Sequence, residues 1–191
     1  MISLKAFLPV LSKEFGLSEA ALYERQRALV RLGLLPQPMS RGRNSGGAMA
    51  TPEAVGLMLI AVLATDNLSE IDERVLKIAN SRTSRWNDPT KPAVCHFTNK
   101  RVLKKAVAAA ISDADISVGL SLEISRNAQI ARLVDMSGER LDSEFGERLK
   151  RPPIELKAVY TGLFTLAVDL DLADRPGFHR GNMQFAREES E

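Results

Sequence analysis

The chain begins with apolar residues at helical spacing. The first apolar positions recur every three or four residues, as on the buried face of a helix: Leu4, Phe7, Leu8 and Leu11. This pattern predicts a helix over residues 4–14. Pro9 lies inside it, so either the helix bends there or the proline marks its first turn and the helix begins near Leu8. Gly16 is expected to end the helix in the left-handed conformation.

Ser18 marks the start of a second predicted helix. Its hydroxyl can accept a hydrogen bond from a free backbone N–H, Glu19 complements the helix dipole, and Gly33 ends the helix after about Leu32. On a helical projection, the side that can pack against the first helix holds Ala21, Leu22, Arg25, Ala28, Leu29 and Leu32. The opposite side holds Tyr23, Glu24, Arg27 and Arg31. We expect this Tyr/Arg stripe to be free to meet a partner.

Two further helices are predicted before residue 82. Thr51 can cap the first of them, and Pro52 suits its first position because proline has no N–H to leave unpaired. Residues 52–65 are apolar almost all round, which predicts a central buried helix or an oligomer interface. The other helix is expected from Glu70 to about Ser81.

The second half of the chain mixes helical and strand patterns. Residues 82–92 combine polar side chains and two prolines without periodicity, as in an interdomain linker. Residues 118–126 alternate strictly between apolar and polar, which predicts a half-buried strand whose edge could pair with another chain. The other predicted elements are a helix over Asn99–Ile111 capped by Thr98, strands over Gln129–Met136 and Ile154–Tyr160, and a helix over Leu163–Leu172.

These patterns predict an α+β protein in two parts. The 191 residues are enough for one medium domain or two small ones, and 45% hydrophobic with 26% charged residues is the usual mix for a globular chain. The predicted parts are a helical domain over 1–81, a linker over 82–92, a small α+β domain with a β-hairpin or three-stranded sheet over 93–175, and a mobile tail over 176–191.

Positive charge is concentrated at the start of the chain. Residues 1–47 carry seven Lys or Arg and three Glu, whereas the rest carries 19 basic and 21 acidic residues. The net charge of +2 is by itself too small to indicate a nucleic-acid partner. The concentration of basic residues in the first 47 positions is the more informative feature. Arg41 and Arg43 flank a glycine in the loop 39–47, and such a loop can lie in a minor groove or along phosphates.

Residues 10–48 resemble a winged helix-turn-helix domain. The resemblance rests on the segment Leu11–Ser18, on Arg25–Val30, on the exit Arg31–Pro36 and on the Arg-Gly-Arg loop. It covers roughly a quarter of the chain. It implies a recognition helix over about 18–32 and a basic wing over 39–47. Such domains usually have another helix before these two, so the helix Thr51–Ala64 or a partner chain would complete the core. No family is recognised in residues 93–191.

The resemblance implies sequence-selective binding of double-stranded DNA, typically by a transcription regulator. The residues expected to contact DNA are Ser18, Glu19, Tyr23, Arg27, Arg31, Arg41, Arg43 and Asn44. Ser18, Glu19, Ala20 and Tyr23 would approach the bases, with Arg27 as a further candidate, whereas Arg31 would meet the backbone. A homodimer is favoured, because two copies paired through the apolar helix Val55–Leu63 could align their recognition helices about one DNA turn apart.

Two other classes of function stay open at this point. A small terminase subunit of a phage-type packaging machine has a similar layout, with an N-terminal helix-turn-helix, a helical oligomerisation region and C-terminal strands. It would form a ring rather than a dimer. A protein-interaction adaptor that does not bind DNA is the other alternative.

The pattern indicates no enzyme, metal site or cofactor. Cys95 is the single cysteine, and its neighbour His96 should point to the opposite face of an extended segment, so a Cys/His dyad is not expected. Acidic pairs such as Asp113 and Asp115 sit at the ends of elements, where carboxylates more often cap helices than bind Mg²⁺. The chain shows no signal-peptide pattern, and its longest apolar stretch is too short to span a bilayer. We therefore expect a cytoplasmic protein.

Overall fold

The computed structural model describes residues 2–37, 47–67, 71–84, 93–138, 142–146 and 155–174. Its helices are α1 (Leu4–Phe15), α2 (Glu19–Arg31), α3 (Pro52–Ala64), α4 (Ile71–Ala79), α5 (Leu103–Ile111), α6 (Ala114–Ser117) and α7 (Leu163–Asp174). Its strands are β1 (Leu120–Ser125), β2 (Ile130–Asp135), β3 (Ser143–Phe145) and β4 (Lys157–Tyr160). The predicted α+β class is confirmed, with N-terminal helices followed by a four-stranded antiparallel sheet rather than a hairpin or three strands.

Helix α1 continues through its internal proline. The Ser3 hydroxyl accepts a hydrogen bond from the Ala6 N–H at 3.2 Å and so caps the helix one residue before Leu4. The helix therefore begins at Leu4, and the alternative start near Leu8 is wrong. Pro9 leaves one carbonyl of the helix without its usual N–H donor. Burial of the apolar face offsets this loss, with Leu4, Phe7, Leu8 and Leu11 all inside the core.

Helix α3 is the centre of the molecule. The Thr51 hydroxyl accepts a hydrogen bond from the Ala54 N–H at 3.2 Å, as predicted for a cap, and Pro52 occupies the first turn. Around this helix lie α1, α2, α4, α5, β1 and β4. Because its own chain already buries residues from Val55 to Ile60, this helix leaves no apolar face for a second copy. The inference of a dimer through Val55–Leu63 is therefore wrong.

The sheet has the strand order β3-β2-β1-β4, with every neighbouring pair antiparallel. Strand β1 pairs with β2 on one side and with β4 on the other. It therefore has no free edge, and the prediction that residues 118–126 could pair with another chain is wrong. At the β3 edge, Thr83 forms a bridge with Phe145, and the Ser84 N–H donates to the Glu144 carbonyl at 2.8 Å. Strand β4 lies at the opposite edge.

Helices and sheet share one hydrophobic core. Buried side chains from Leu4 in α1 to Leu170 in α7 form a single cluster. The Phe15 ring at the end of α1 lies edge-on to the Tyr160 ring of β4, with the ring centroids 5.6 Å apart. Residues 85–92 of the predicted linker and the predicted tail 176–191 lie outside the described residues. The boundary between the two predicted domains stays a prediction.

The predicted start of helix α5 is wrong. Asn99 has a left-handed backbone with φ of 55°, which does not fit a right-handed helix, and α5 begins only at Leu103. Its N-cap is Val102, which offers no side-chain hydrogen bond and instead bridges to Arg82. Thr98, the expected cap, is buried. The remaining elements agree with the predicted ones within about three residues, apart from β3 and α6, which were not predicted.

Candidate nucleic-acid interface

Helices α1 and α2 are joined by a three-residue turn. Gly16 ends α1 with φ of 65°, a conformation that glycine adopts without a steric penalty. Ser18 opens α2, and its hydroxyl accepts a hydrogen bond from the Ala21 N–H at 3.2 Å. Between them, the Ser12 hydroxyl of α1 donates to the Leu17 carbonyl at 2.6 Å and fixes the turn to the first helix. Buried Leu22 holds α2 against the core.

The outward face of α2 begins with an exposed first turn. Ser18 and Glu19 are exposed, and Tyr23 lies one helical turn further along with 39% of its surface accessible. The Lys5 ammonium of α1 sits 5.5 Å from the centre of the Tyr23 ring, which places a cation over the π-face. The contact joins the two helices at their outer surface. It sets a positive charge beside the part of α2 that the sequence pattern assigns to base contacts.

Both arginines of the stripe are ion-paired and still accessible. Arg27 donates from Nη1 to the two carboxylate oxygens of Glu24 at 3.0 and 3.2 Å. Arg31 binds Asp72 of α4 through Nε at 3.1 Å and Nη2 at 2.6 Å, and this hydrogen-bonded pairing raises the pKa of Arg31. The two arginine side chains are 64% and 63% exposed. An anion can therefore reach them, but it has to compete with a carboxylate.

A third arginine of α2 has a structural role. Arg25 is buried on the packing side, as the helical projection predicted, and donates from Nη1 to the Ala21 carbonyl at 3.2 Å. Burial lowers the pKa of Arg25, nearby Asp66 raises it, and nearby Arg126 lowers it again. Arg126 itself binds both carboxylate oxygens of Asp66 and donates to the Leu63 carbonyl at 2.9 Å, so it ties the end of α3 to the sheet.

Residues 39–46 of the predicted wing lie outside the described residues. Nothing is therefore described for Arg41, Arg43 or Asn44. The segment that follows it returns to α1, where the Leu4 N–H donates to the Ala48 carbonyl at 2.8 Å and the Ala50 N–H donates to the Ile2 carbonyl at 2.9 Å. These bonds anchor the C-terminal end of the loop beside the start of α1.

The described part of the chain gives little support to a catalytic dyad, a metal site or a membrane span. Cys95 is buried whereas His96 is exposed. Within the described ranges, no three His, Cys, Asp or Glu side chains come close enough to hold a metal ion. Asp113 caps α6 by accepting hydrogen bonds from the backbone N–H groups of Asp115 and Ile116. Among the described helices, none has the length and apolar content needed to cross a membrane.

Comparisons with known proteins give no relatives. No protein-family model, no curated protein and no solved structure matches this chain significantly. Function is therefore inferred from the geometry of α1, α2 and the turn between them.

Proposed function

We propose that this protein binds double-stranded DNA through α1 and α2, as a sequence-selective transcription regulator located in the cytoplasm. The observation that supports the proposal most is the accessible face of α2, which follows a capped three-residue turn bonded to α1. A helix-turn-helix reads DNA by laying its second helix in the major groove with the N-terminal residues towards the bases. Ser18, Glu19 and Tyr23 are exposed at that end of α2.

The side chains along α2 suit two kinds of DNA contact, to bases and to phosphates. Tyr23 has both a hydroxyl, which can hydrogen-bond, and a ring edge, which can contact a thymine methyl group. Arg27, one turn further on, can reach a base edge or a phosphate, and Arg31, two turns further on, can contact phosphates. Lys5 adds a cation from α1. The sequence of the predicted wing contains two further cationic side chains, Arg41 and Arg43.

The test is a binding comparison between two kinds of variant. Tyr23→Ala should reduce discrimination between DNA sequences, because it removes a base contact. Arg41→Ala and Arg43→Ala should weaken binding to all duplexes and flatten its salt dependence, because each removes a phosphate contact. The matched control is Lys105→Ala, which removes an exposed cation from α5, away from the proposed face. A target sequence is first selected from a pool of random duplexes. Binding of each variant to this labelled DNA is then measured by fluorescence anisotropy.

Identical effects from both kinds of variant would contradict this division into base and phosphate contacts. No binding of wild-type protein to any duplex, even at low salt, would contradict the whole proposal. The second candidate, a protein-interaction adaptor, would then be preferred. A specific observation favours it: Glu24 and Asp72 already neutralise the two arginines of the α2 face.

A further inference from the structure

The open edge of the sheet belongs to β4. The Leu156 carbonyl accepts a hydrogen bond from the Arg126 N–H at 2.8 Å, and the Leu156 N–H donates to the Asn127 side chain at 3.1 Å, so both backbone groups of Leu156 point towards the β1 side. Backbone groups alternate in direction along an antiparallel strand. The N–H and C=O groups of Lys157 and Val159 therefore point away from the sheet.

Nothing in the described part of the chain pairs with these outward groups. The other edge differs, because residues Thr83 and Ser84 bond to β3. This edge also carries exposed apolar surface, with Leu156, just before β4, at 59% and Val159 at 50% exposure. An open strand edge with apolar side chains is a ready site for pairing with another strand.

We propose that residues 155–157, at the start of β4, pair antiparallel with the same residues of a second copy of this chain, about a two-fold axis at Leu156. Charge complementarity favours a second copy of the chain as the partner. Only residues with outward backbone groups can form the hydrogen-bonded pairs of such a dimer, which restricts the register to a few choices. Centring the axis on Leu156 sets Glu155 of each copy opposite Lys157 of the other. Opposite charges that face each other across strands stabilise the pairing.

Neighbouring registers are less favourable. An axis at Lys157 would set that lysine opposite its own copy, and an axis at Ala158 would set it opposite Val159. With the axis at Leu156, the two exposed leucines also meet as a non-hydrogen-bonded pair, in which side chains approach most closely. Within one chain the Lys157 ammonium lies 3.9 Å from Glu155 and 3.5 Å from Glu123, so it is already held on the side of the sheet where the partner's carboxylate would arrive.

The resulting interface is small, so the dimer should form only at high protein concentration. Two hydrogen-bonded residue pairs and one leucine contact bury much less area than a standard stable interface does. This proposal is independent of DNA binding, because it concerns oligomeric state in the absence of DNA. It also replaces α3, which is buried, as the surface through which two copies meet.

Charge reversal tests the register directly. Sedimentation equilibrium of the full chain over a concentration series should show a monomer–dimer equilibrium. Glu155→Lys alone and Lys157→Glu alone should each weaken dimerisation by about tenfold, because two attractive cross-strand pairs become repulsive. An equimolar mixture of these two variants should restore it as a heterodimer, because the opposed charges are then complementary. The control is Lys105→Glu, which reverses an exposed charge on α5 and should leave association unchanged.

A second variant tests the edge without changing charge. Leu156→Ala removes the leucine contact at the two-fold axis, changes no charge, and should also weaken dimerisation, with circular dichroism confirming the fold. A chain that stays monomeric at its highest soluble concentration would overturn the proposal and leave the edge for an extended segment of another protein. The proposal would also be overturned if the charge reversals left dimerisation unchanged, or if mixing the two variants did not restore it.

Discussion

Replacing Gly56 by valine tests the close contact between the two buried helices α3 and α5. A Cβ atom at Gly56 would lie 3.1 Å from Val107 Cγ1 and 3.7 Å from Ile111 Cδ1. The first distance is already tight, and the two methyl groups of valine extend beyond it. Overpacking of this kind costs ~1–3 kcal/mol of folding free energy. The higher helix propensity of valine relative to glycine returns only ~0.4 kcal/mol.

We therefore expect Gly56→Val to destabilise the protein by about 2 kcal/mol, taking the middle of that range. For a chain of this length, that corresponds to a fall in Tm of about 4–8 °C. Urea unfolding followed by circular dichroism measures the same change as a lower midpoint with an unchanged slope.

Two control variants separate the effect of overpacking at Gly56 from the effect of losing a glycine. Gly56→Ala should change stability by less than ~1 kcal/mol, because the gain in helix propensity offsets a small displacement of Val107. Gly47→Val introduces the same side chain at a glycine where an added Cβ atom would have no neighbour within 4 Å, and it should be close to neutral. If Gly56→Val were as stable as the wild-type protein, α3 and α5 could not approach each other as described, and the reasoning would fail.

Three further predictions concern individual side chains. Ser18→Ala should cost about 1 kcal/mol in thermal unfolding, because α2 loses its cap. Tyr160→Phe should remove a loss of stability at high pH: burial raises the pKa of Tyr160, so the folded chain keeps a proton that the unfolded chain releases above about pH 10, and stability falls as pH rises through that value. Equal pH profiles of variant and wild type in urea titrations would argue against this. Asp72→Asn should tighten DNA binding by freeing Arg31, and unchanged anisotropy titrations would count against that role.

Sequence reasoning recovered the elements whose signals are local. The caps Ser18 and Thr51 act on N–H groups three residues away, so their effect can be read from the sequence alone. The apolar side of α2 was also predicted correctly, including the burial of Arg25. The exposed face of the candidate site followed from the same projection.

Elements that depend on distant partners were missed. Strand β3 is three residues long and exists through pairing with β2, for example Ala131 with Phe145. The start of α5 depends on the bridge from Val102 to Arg82 rather than on a capping side chain. The ion pair between Arg31 and Asp72 joins residues 41 positions apart, so no local pattern indicates it. The central position of β1 depends on β4, which lies more than 30 residues further along the chain.

The measurement that tests the central proposal most directly is the salt dependence of double-stranded DNA binding. The comparison is between wild-type protein and a variant with Arg27, Arg41 and Arg43 all replaced by alanine. If the protein binds DNA through this face, wild-type affinity falls steeply with salt. The variant should bind more weakly, with a slope reduced by about 0.9 for each phosphate that it no longer neutralises. Affinity and slope that are the same in both proteins would contradict DNA binding through this face.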